Sequence, residues 1–543
     1  MGMMKLKKSI VAVVVVALVA SLSAATWPTK KPIYMISANS AVSLNPIATT
    51  GDVIAGTVIR GIPDGMGAFD NGRGGITLLS NHEVSTTDKI ALRSKSETGQ
   101  WGVSITAMNY SPTSKTVTSA GALFHDIQYW NYKTGKYQES PIGGEPTGAA
   151  AGTFGWGISR FCSATYSPAG TFMYNGIGYE GALFTTGEEI GDNSRGFAFD
   201  MDGHGYQLPR LGMLSFENIV PTLKPGINTV AMANEDGSAT DSQLHMYVGK
   251  KQATGSVIDK AGFTNGDLYV LNIPTIATDN IFRTTIAKST PVDATFKKIE
   301  WNTDVAGFAK GARENGMTFA RIEDGQWDPK NPDVYYFVTT ESNKDPVATK
   351  ENPAEPGVSR DGGGLWRLTF KDAQNPLLGA KLELLLNGGE APFLSKPDNM
   401  TITDNGIIML QEDPGNNAHV ARIVAYRIKD GKLATIATFD PKYFTPTGSN
   451  YMTIDEESSG IIDATKLLAK GNDKNSYFFL NAQVHTYSGV TNVDPGVKGA
   501  TTPARPDLVR TNAGKKTLVD NASVEGGQFY VLTVTDWNAV FNG

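Results

Sequence analysis

The apolar positions of the chain come mostly in short runs and only rarely in helical stripes. Met246-Tyr247-Val248, Leu268-Tyr269-Val270-Leu271, Val334-Tyr335-Tyr336-Phe337-Val338, Leu365-Trp366-Arg367-Leu368, Ile423-Val424-Ala425-Tyr426, Tyr477-Phe478-Phe479-Leu480 and Phe529-Tyr530-Val531-Leu532 are rich in β-branched and aromatic residues, as strands are. Turn signals bound most of them: Asn265-Gly266-Asp267, Asp361-Gly362-Gly363-Gly364, Asp430-Gly431-Lys432 and Gly526-Gly527. Only Val305 to Ala312 and Ile462 to Lys470 carry helix periodicity, and both are short. A turn followed by a Leu/Phe-Tyr/Trp-Arg/Val-Leu strand is the pattern of an outer strand of a propeller blade. The pattern repeats without a fixed period. It predicts an all-β protein, a β-propeller of six blades with inserted loops and a few short helices. Such a fold sets loops from every blade around one channel, where residues distant in sequence meet. Gly143 to Gly152 and Lys344 to Arg360 read as surface insertions.

Composition agrees with a turn-rich β protein. Glycine is 59 of 543 residues, charged residues are 19%, and the net charge is −6. No basic surface for nucleic acid is expected. Large β folds exceed the prior of ~150 residues per domain, so residues 26–543 are expected to form one catalytic propeller. Residues 1–25 read as a signal peptide: Lys5, Lys7 and Lys8 precede the apolar Ser9 to Leu22, and Ser23-Ala24-Ala25 offers a cleavage site. Without an Arg-Arg pair, general secretion is expected rather than twin-arginine export. The expected location is therefore periplasmic or secreted. No later run approaches ~20 apolar residues, so no membrane span is expected. A monomer acting on a small molecule is the expected state.

The candidate chemistry centres on Arg160 to Glu189. Cys162 is the sole cysteine and has no internal disulfide partner. The adjacent carboxylates Glu188 and Glu189 repel unless a cation or proton offsets them. Thiolate and carboxylates together suit a transition metal. Further short acidic loops contain Asn81-His82-Glu83, Glu217, Glu235-Asp236, Arg321-Ile322-Glu323-Asp324, Asp398-Asn399, Glu412-Asp413 and Asp455-Glu456-Glu457. Several follow apolar runs, at strand ends where ligands are usually presented. Oxygen-rich sets of this kind suit calcium. Any one such loop is also ordinary turn chemistry, and Asp64-Gly65-Met66-Gly67 reads as a turn. His82 and His485 are ligands or orienting residues, whereas His125, His204, His245 and His419 are assigned no role. Arg321 stands two residues before Glu323, so both side chains face one way in extended chain. Its guanidinium can clamp an oxyanion bidentately. Lys396 is a second candidate cation. No Gly-x-Ser-x-Gly elbow, Walker loop or zinc-protease motif is present.

In this order the loops resemble those of the PhoX-type alkaline phosphatases, a family of secreted propellers. Asn81-His82-Glu83, Arg160-Phe161-Cys162-Ser163, Thr186-Gly187-Glu188-Glu189, Pro397-Asp398-Asn399 and Glu412-Asp413 are similar to its motifs. Asn234-Glu235-Asp236 stands where the family has an acidic pair. Phe216 and Ile322 depart from a family histidine and proline. The resemblance implies ferric iron and calcium joined by an oxo group, acting on phosphate monoesters. By that resemblance Cys162, Glu217 and Glu323 bear on iron. Glu83, Glu188, Glu189, Glu235, Asp236, Asp398, Asn399, Glu412, Asp413 and Glu456 complete the metal-ligand set, and Arg321, Cys162 and Glu323 serve catalysis. Two other readings remain at this stage: a calcium-stabilised propeller that binds a partner without catalysis, and a relative acting on diesters or phytate. A lactonase-type hydrolase is a third, since a fold does not fix a chemistry.

Overall fold

Val334–Thr339, Phe216–Pro221, Pro397–Ile402 and Ile407–Glu412 are each buried at every position. Strands covered on both faces need not alternate, so Val334–Thr339 reads as a nearly unbroken apolar run, whereas Phe216–Pro221 and Pro397–Ile402 bury Glu217, Asn218, Asp398 and Asn399. Trp366 is fully buried. The rings of Phe282 and Phe319 lie 5.3 and 5.4 Å from it, and its indole N–H donates to Thr339 Oγ1 at 3.2 Å. Truncating such a residue costs about 3–5 kcal/mol. The computed structural model describes residues 29, 32–84, 103, 105–139, 158–238, 240–341, 362–390, 393–415, 420–485 and 525–542. The expected signal peptide and both expected insertions lie outside the described residues.

Six strands form an inner wall: β1 (Pro63–Asp70), β2 (Phe161–Ser167), β3 (Phe216–Pro221), β4 (Ile322–Trp327), β5 (Pro397–Ile402) and β6 (Glu456–Asp463). Each pairs antiparallel with a second strand: Ile76–His82, Leu183–Glu188, Asn228–Glu235, Val334–Thr339, Ile407–Glu412 and Ser476–Val484, respectively. Further antiparallel strands extend outward from these. Each inner strand lies against the next, and β6 lies against β1, so the wall closes. All six line one cavity of about 320 Å³ with residues that include Ala68, Tyr166, Asn218, Gln326, Ile402 and Ile462. This is the expected β-propeller-like architecture. The strand Gly526–Val534 pairs with Ser476–Val484 on one side and with Val42–Thr49 on the other, so a strand from near the N-terminus completes the last group.

The inner strands approach so closely that two glycines are required. A Cβ on Gly65 would stand 2.4 Å from the Ala164 nitrogen, and one on Gly460 would stand 2.5 Å from the Asp64 carbonyl oxygen. Val305–Asn315 is helical as expected, capped by Asp304, whose carboxylate accepts from the Gly307 N–H at 2.7 Å. The other expected helix is corrected. Ile462 belongs to β6, and only Thr465–Leu468 is helical, because Ile461 and Ile462 pair with Leu480 and Phe479 in the sheet.

Candidate metal centre

Every inner strand loses register with its second strand near its start. The shifts fall between Pro63 and Met66, Phe161 and Ala164, Phe216 and Asn218, Ile322 and Gly325, Pro397 and Met400, and Ser458 and Ile461. A bulge re-aims the side chain it carries. Asp64, Cys162, Glu217, Glu323 and Asp398 stand within these irregularities, and Glu457 stands just ahead of the sixth. A second set is fixed by one recurring hydrogen bond. The N–H groups of Glu83, Glu189, Asp236, Thr340, Asp413 and His485 donate to the carbonyls of Ile62, Arg160, Ser215, Arg321, Lys396 and Asp455 at 2.8–3.0 Å. Four residues that precede inner strands, Ile62, Arg160, Arg321 and Lys396, hold φ of 42°, 45°, 58° and 45°. Each such left-handed residue costs roughly 1–2 kcal/mol, strain of the kind that gathers at functional sites.

The two sets converge. Ligand atoms of Asp64, Glu83 and Cys162 form one group, those of Cys162, Glu189 and Glu217 a second, and those of Glu217, Glu323 and Asp398 a third, each within 4.8 Å. Cys162 and Glu217 are shared, so the groups run together. The Cys162 sulfur lies 3.0 Å from Asp64 Oδ2 and 3.3 Å from Glu83 Oε1. Asn399 Nδ2 donates to Asp64 Oδ1 at 3.0 Å and also to Ser163 Oγ. Amides from second strands brace the bulged backbone across neighbouring groups: Asn81 Nδ2 donates to the Cys162 carbonyl at 2.7 Å, Asn234 Nδ2 to that of Glu323, and Asn481 Nδ2 to that of Asp64 at 2.7 Å.

Among the described residues, Arg160, Arg321 and Lys396 edge the cluster. Arg160 Nη2 lies 2.6 Å from Glu83 and 3.0 Å from Glu189. Arg321 grips Asp236 with two bonds of 2.8 and 2.7 Å and stands 3.4 Å from Glu323. Glu341 lies between Arg321 and Lys396, at 3.6 and 3.7 Å. A cavity of about 440 Å³ beside Arg321 is lined by Glu189, Asp192, Ser215, Asp236 and Asp241 among others.

Burial and mutual repulsion dominate the electrostatics. Burial, then Glu83, Glu217 and Glu457, push Asp64 well up. Burial also raises Glu189, Glu323 and Asp398, and it pushes Glu217 up to about 8 and Glu457 up to about 7. The Cys162 thiol is raised by burial and by Asp64 and Glu217. Glu83 is drawn down: burial opposes this, but Arg160 and hydrogen bonds outweigh it. The donor set fits cations. Asp398 Oδ1 and Asn399 Oδ1 are buried and accept no hydrogen bond. Buried acceptors are rarely left so. One sulfur amid carboxylates suits iron or zinc, and the remaining carboxylate and amide oxygens suit calcium.

The acidic pairs divide in a way their adjacency hides. Glu188 is gripped by Arg195 at 2.7 and 2.9 Å and by the Ser159 N–H at 2.9 Å. Glu412 is held by Arg422 at 2.9 and 2.6 Å. Glu235 accepts from the Gln243 N–H at 2.8 Å. Their successors Glu189, Asp236 and Asp413 belong to the recurring second set. Alternation along a strand explains the division. Glu456 likewise accepts from the Ala421 N–H at 3.0 Å, in another strand group, whereas Glu457 stands 3.6 Å from His485. The structure therefore gives Glu188, Glu235, Glu412 and Glu456 bracing partners outside the cluster.

The sequence assigned no site role to Asp64, Arg160 or Glu341, and named Glu457 only within the Asp455-Glu456-Glu457 loop. The signal for Asp64 was Pro63-Asp64, the same step as Pro397-Asp398. His82 is buried between the Gly61 carbonyl and Thr106, while His485 faces Glu457 and Glu525. Phe216 and Ile322 occupy the core-facing position of the step and are fully buried. Both departures from the family thus lie on the core side of their strands.

Fold and site together define a propeller-like protein with a candidate metal centre built from the starts of its inner strands. The alkaline phosphatase PhoX family matches residues 55–460. The chain belongs to that family. Among solved structures it is similar to Pseudomonas fluorescens PhoX in complex with vanadate, a transition state analogue, with a TM-score of 0.60 and 11% identity over 94% of this chain and 98% of that one. A luciferin-regenerating enzyme matches with a TM-score of 0.31 and 11% identity over 87% of this chain and 91% of that one, too low to carry argument. No curated protein matches in sequence. No helix among the described residues is long and apolar enough to cross a membrane.

Proposed function

We propose that the chain is an exported alkaline phosphatase that hydrolyses phosphate monoesters at a centre of ferric iron and calcium, on a six-bladed propeller. The observation that carries this reading is the convergence of Cys162, Glu217, Glu323 and Asp398, with buried oxygens of Asp398 and Asn399 that accept nothing from the protein. Cys162, Glu217 and Glu323 would hold iron. Asp64, Glu83, Glu189, Asp398, Asn399 and Glu457 would hold calcium. Bound there, the cations would stabilise charge that builds on the equatorial oxygens of the phosphoryl group.

The chain's own residues bind and orient the ester. Arg321 has its bidentate edge on Asp236 and a side chain 28% exposed toward solvent. With Lys396 across Glu341, it offers the dianion two fixed positive charges. Asp236 holds the guanidinium in plane. Arg321 and Lys396 both take left-handed backbone, and both approach Glu341, at 3.6 and 3.7 Å. The test is phosphate release from an aryl phosphate, a diester and phytate, with and without chelator. Chelator-sensitive turnover that is fastest on the monoester supports the reading. A metal-replete protein that turns over none of the three contradicts it.

A further inference from the structure

The second strand group contains the one parallel pair among the described strands. Asp126–Asn131 joins His204–Gln207 in parallel, with His204 opposite Asp126. The turn before His204 is fixed by Asp200, whose Oδ1 accepts from the N–H groups of Asp202 and His204 at 3.0 and 2.9 Å. The His125 N–H donates to the Gly203 carbonyl at 2.9 Å. Gly203 has φ +97°, and a Cβ there would stand 2.5 Å from His125 Nδ1. Glycine at this point lets the imidazole of His125 lie over the turn.

The result is a convergence of two imidazoles on one oxygen. His204 Nδ1 lies 2.8 Å from Asp126 Oδ2, and His125 Nε2 lies 3.3 Å from the same atom. The two rings stand 4.9 Å apart, edge to face. Ligand atoms of all three residues lie within 4.8 Å, and none of the three is shared with the central groups. In a tetrahedral zinc site with bonds of ~2.0–2.1 Å, neighbouring ligand atoms stand about 3.3 Å apart. The two histidine-to-carboxylate distances, 2.8 and 3.3 Å, are close to that spacing. The histidine side chains are 56% and 43% exposed, which leaves the outward positions to water.

We propose that His125, Asp126 and His204 form a second metal site that takes a borderline divalent ion such as zinc. Two imidazole nitrogens and one carboxylate favour that class over calcium. The ion displaces the proton shared between His204 and Asp126, which leaves to solvent. Asp200 and Asp202 add negative charge beside it. Bound metal pins Asp126–Asn131 to His204–Gln207, and so pins the outer hairpin that continues through Lys136–Glu139.

The test titrates Zn²⁺ into the metal-replete full chain and into a His125→Ala/His204→Ala variant, by calorimetry. Cobalt absorption serves as a second readout. The expected result is one more Zn²⁺ bound per chain in the wild type, weakened at least 100-fold in the variant, with phosphatase activity unchanged. Cobalt gives a tetrahedral absorption band only in the wild type. Equal zinc uptake by both proteins overturns the proposal, because zinc then sits elsewhere. Absence of zinc uptake by both overturns it too, leaving an ion pair alone.

Discussion

Glu188 and Glu189 are adjacent in sequence and turned to different partners. Glu188 is buried against Arg195 at 2.7 Å, whereas Glu189 meets Arg160 at 3.0 Å among the clustered ligand groups. One carboxylate secures the strand pair, and the next joins the cluster. The same division recurs at Glu235 and Asp236 and at Glu412 and Asp413.

Glu188→Ala should cost stability rather than chemistry. It strands a buried guanidinium, a loss of about 3–5 kcal/mol. Glu189→Ala should leave urea denaturation close to wild type and lower chelator-sensitive turnover at least tenfold. Denaturation curves beside phosphate release for both variants check this. Equal loss of stability in the two would contradict the division.

Metal-free protein should lose stability as pH rises. Glu217 is pushed up to about 8 by burial first and by Asp324 and Asp236, and Glu457 up to about 7 by burial first and by Asp413. In the unfolded chain both titrate near 4.5. Between these values the folded state binds more protons than the unfolded one, so stability falls with pH across that window. The penalty is absent below about 4.5 and complete above about 8. Bound cations favour the charged forms and should remove the slope. Melting temperature from pH 5 to 9, in chelator and in calcium with iron, checks this; parallel curves would contradict it.

Arg321→Ala should lower kcat/KM about 100-fold or more, since a positioned guanidinium acts on the ester directly. Arg321→Lys should not restore it, because an ammonium cannot hold Asp236 and the phosphate in one plane. Lys396→Ala should cost less. Steady-state kinetics on an aryl phosphate decide the order.

Phe216→His introduces the histidine that the family resemblance implies at this position and should still do harm. The side chain faces the core, and a Cβ on Gly187 would stand 2.4 Å from the Phe216 Cβ. An imidazole there is buried without a partner, at a cost of roughly 2 kcal/mol or more. Thermal unfolding should show the loss, with no gain in turnover. A stable variant with higher activity would place the site on the other side of β3.

Much of this was legible in the chain. The apolar runs became strands, and acidic residues from several of the named loops, Glu83, Glu189, Glu217, Glu323 and Asp398, lie together. Which carboxylate of each pair faces inward was not legible, because both spacing patterns look alike until the register shift is known. Asp64 was hidden by its glycines, which signal a turn but serve here to admit the backbone of β2. Arg160 was assigned no role from the sequence, and the left-handed backbone it shares with Lys396 carries no local sequence signal.

The most direct test is elemental analysis of native protein, compared with Cys162→Ser. The account predicts calcium and iron in the wild type, with iron lost and calcium largely kept in the variant. A fully active wild-type chain free of both metals would contradict it.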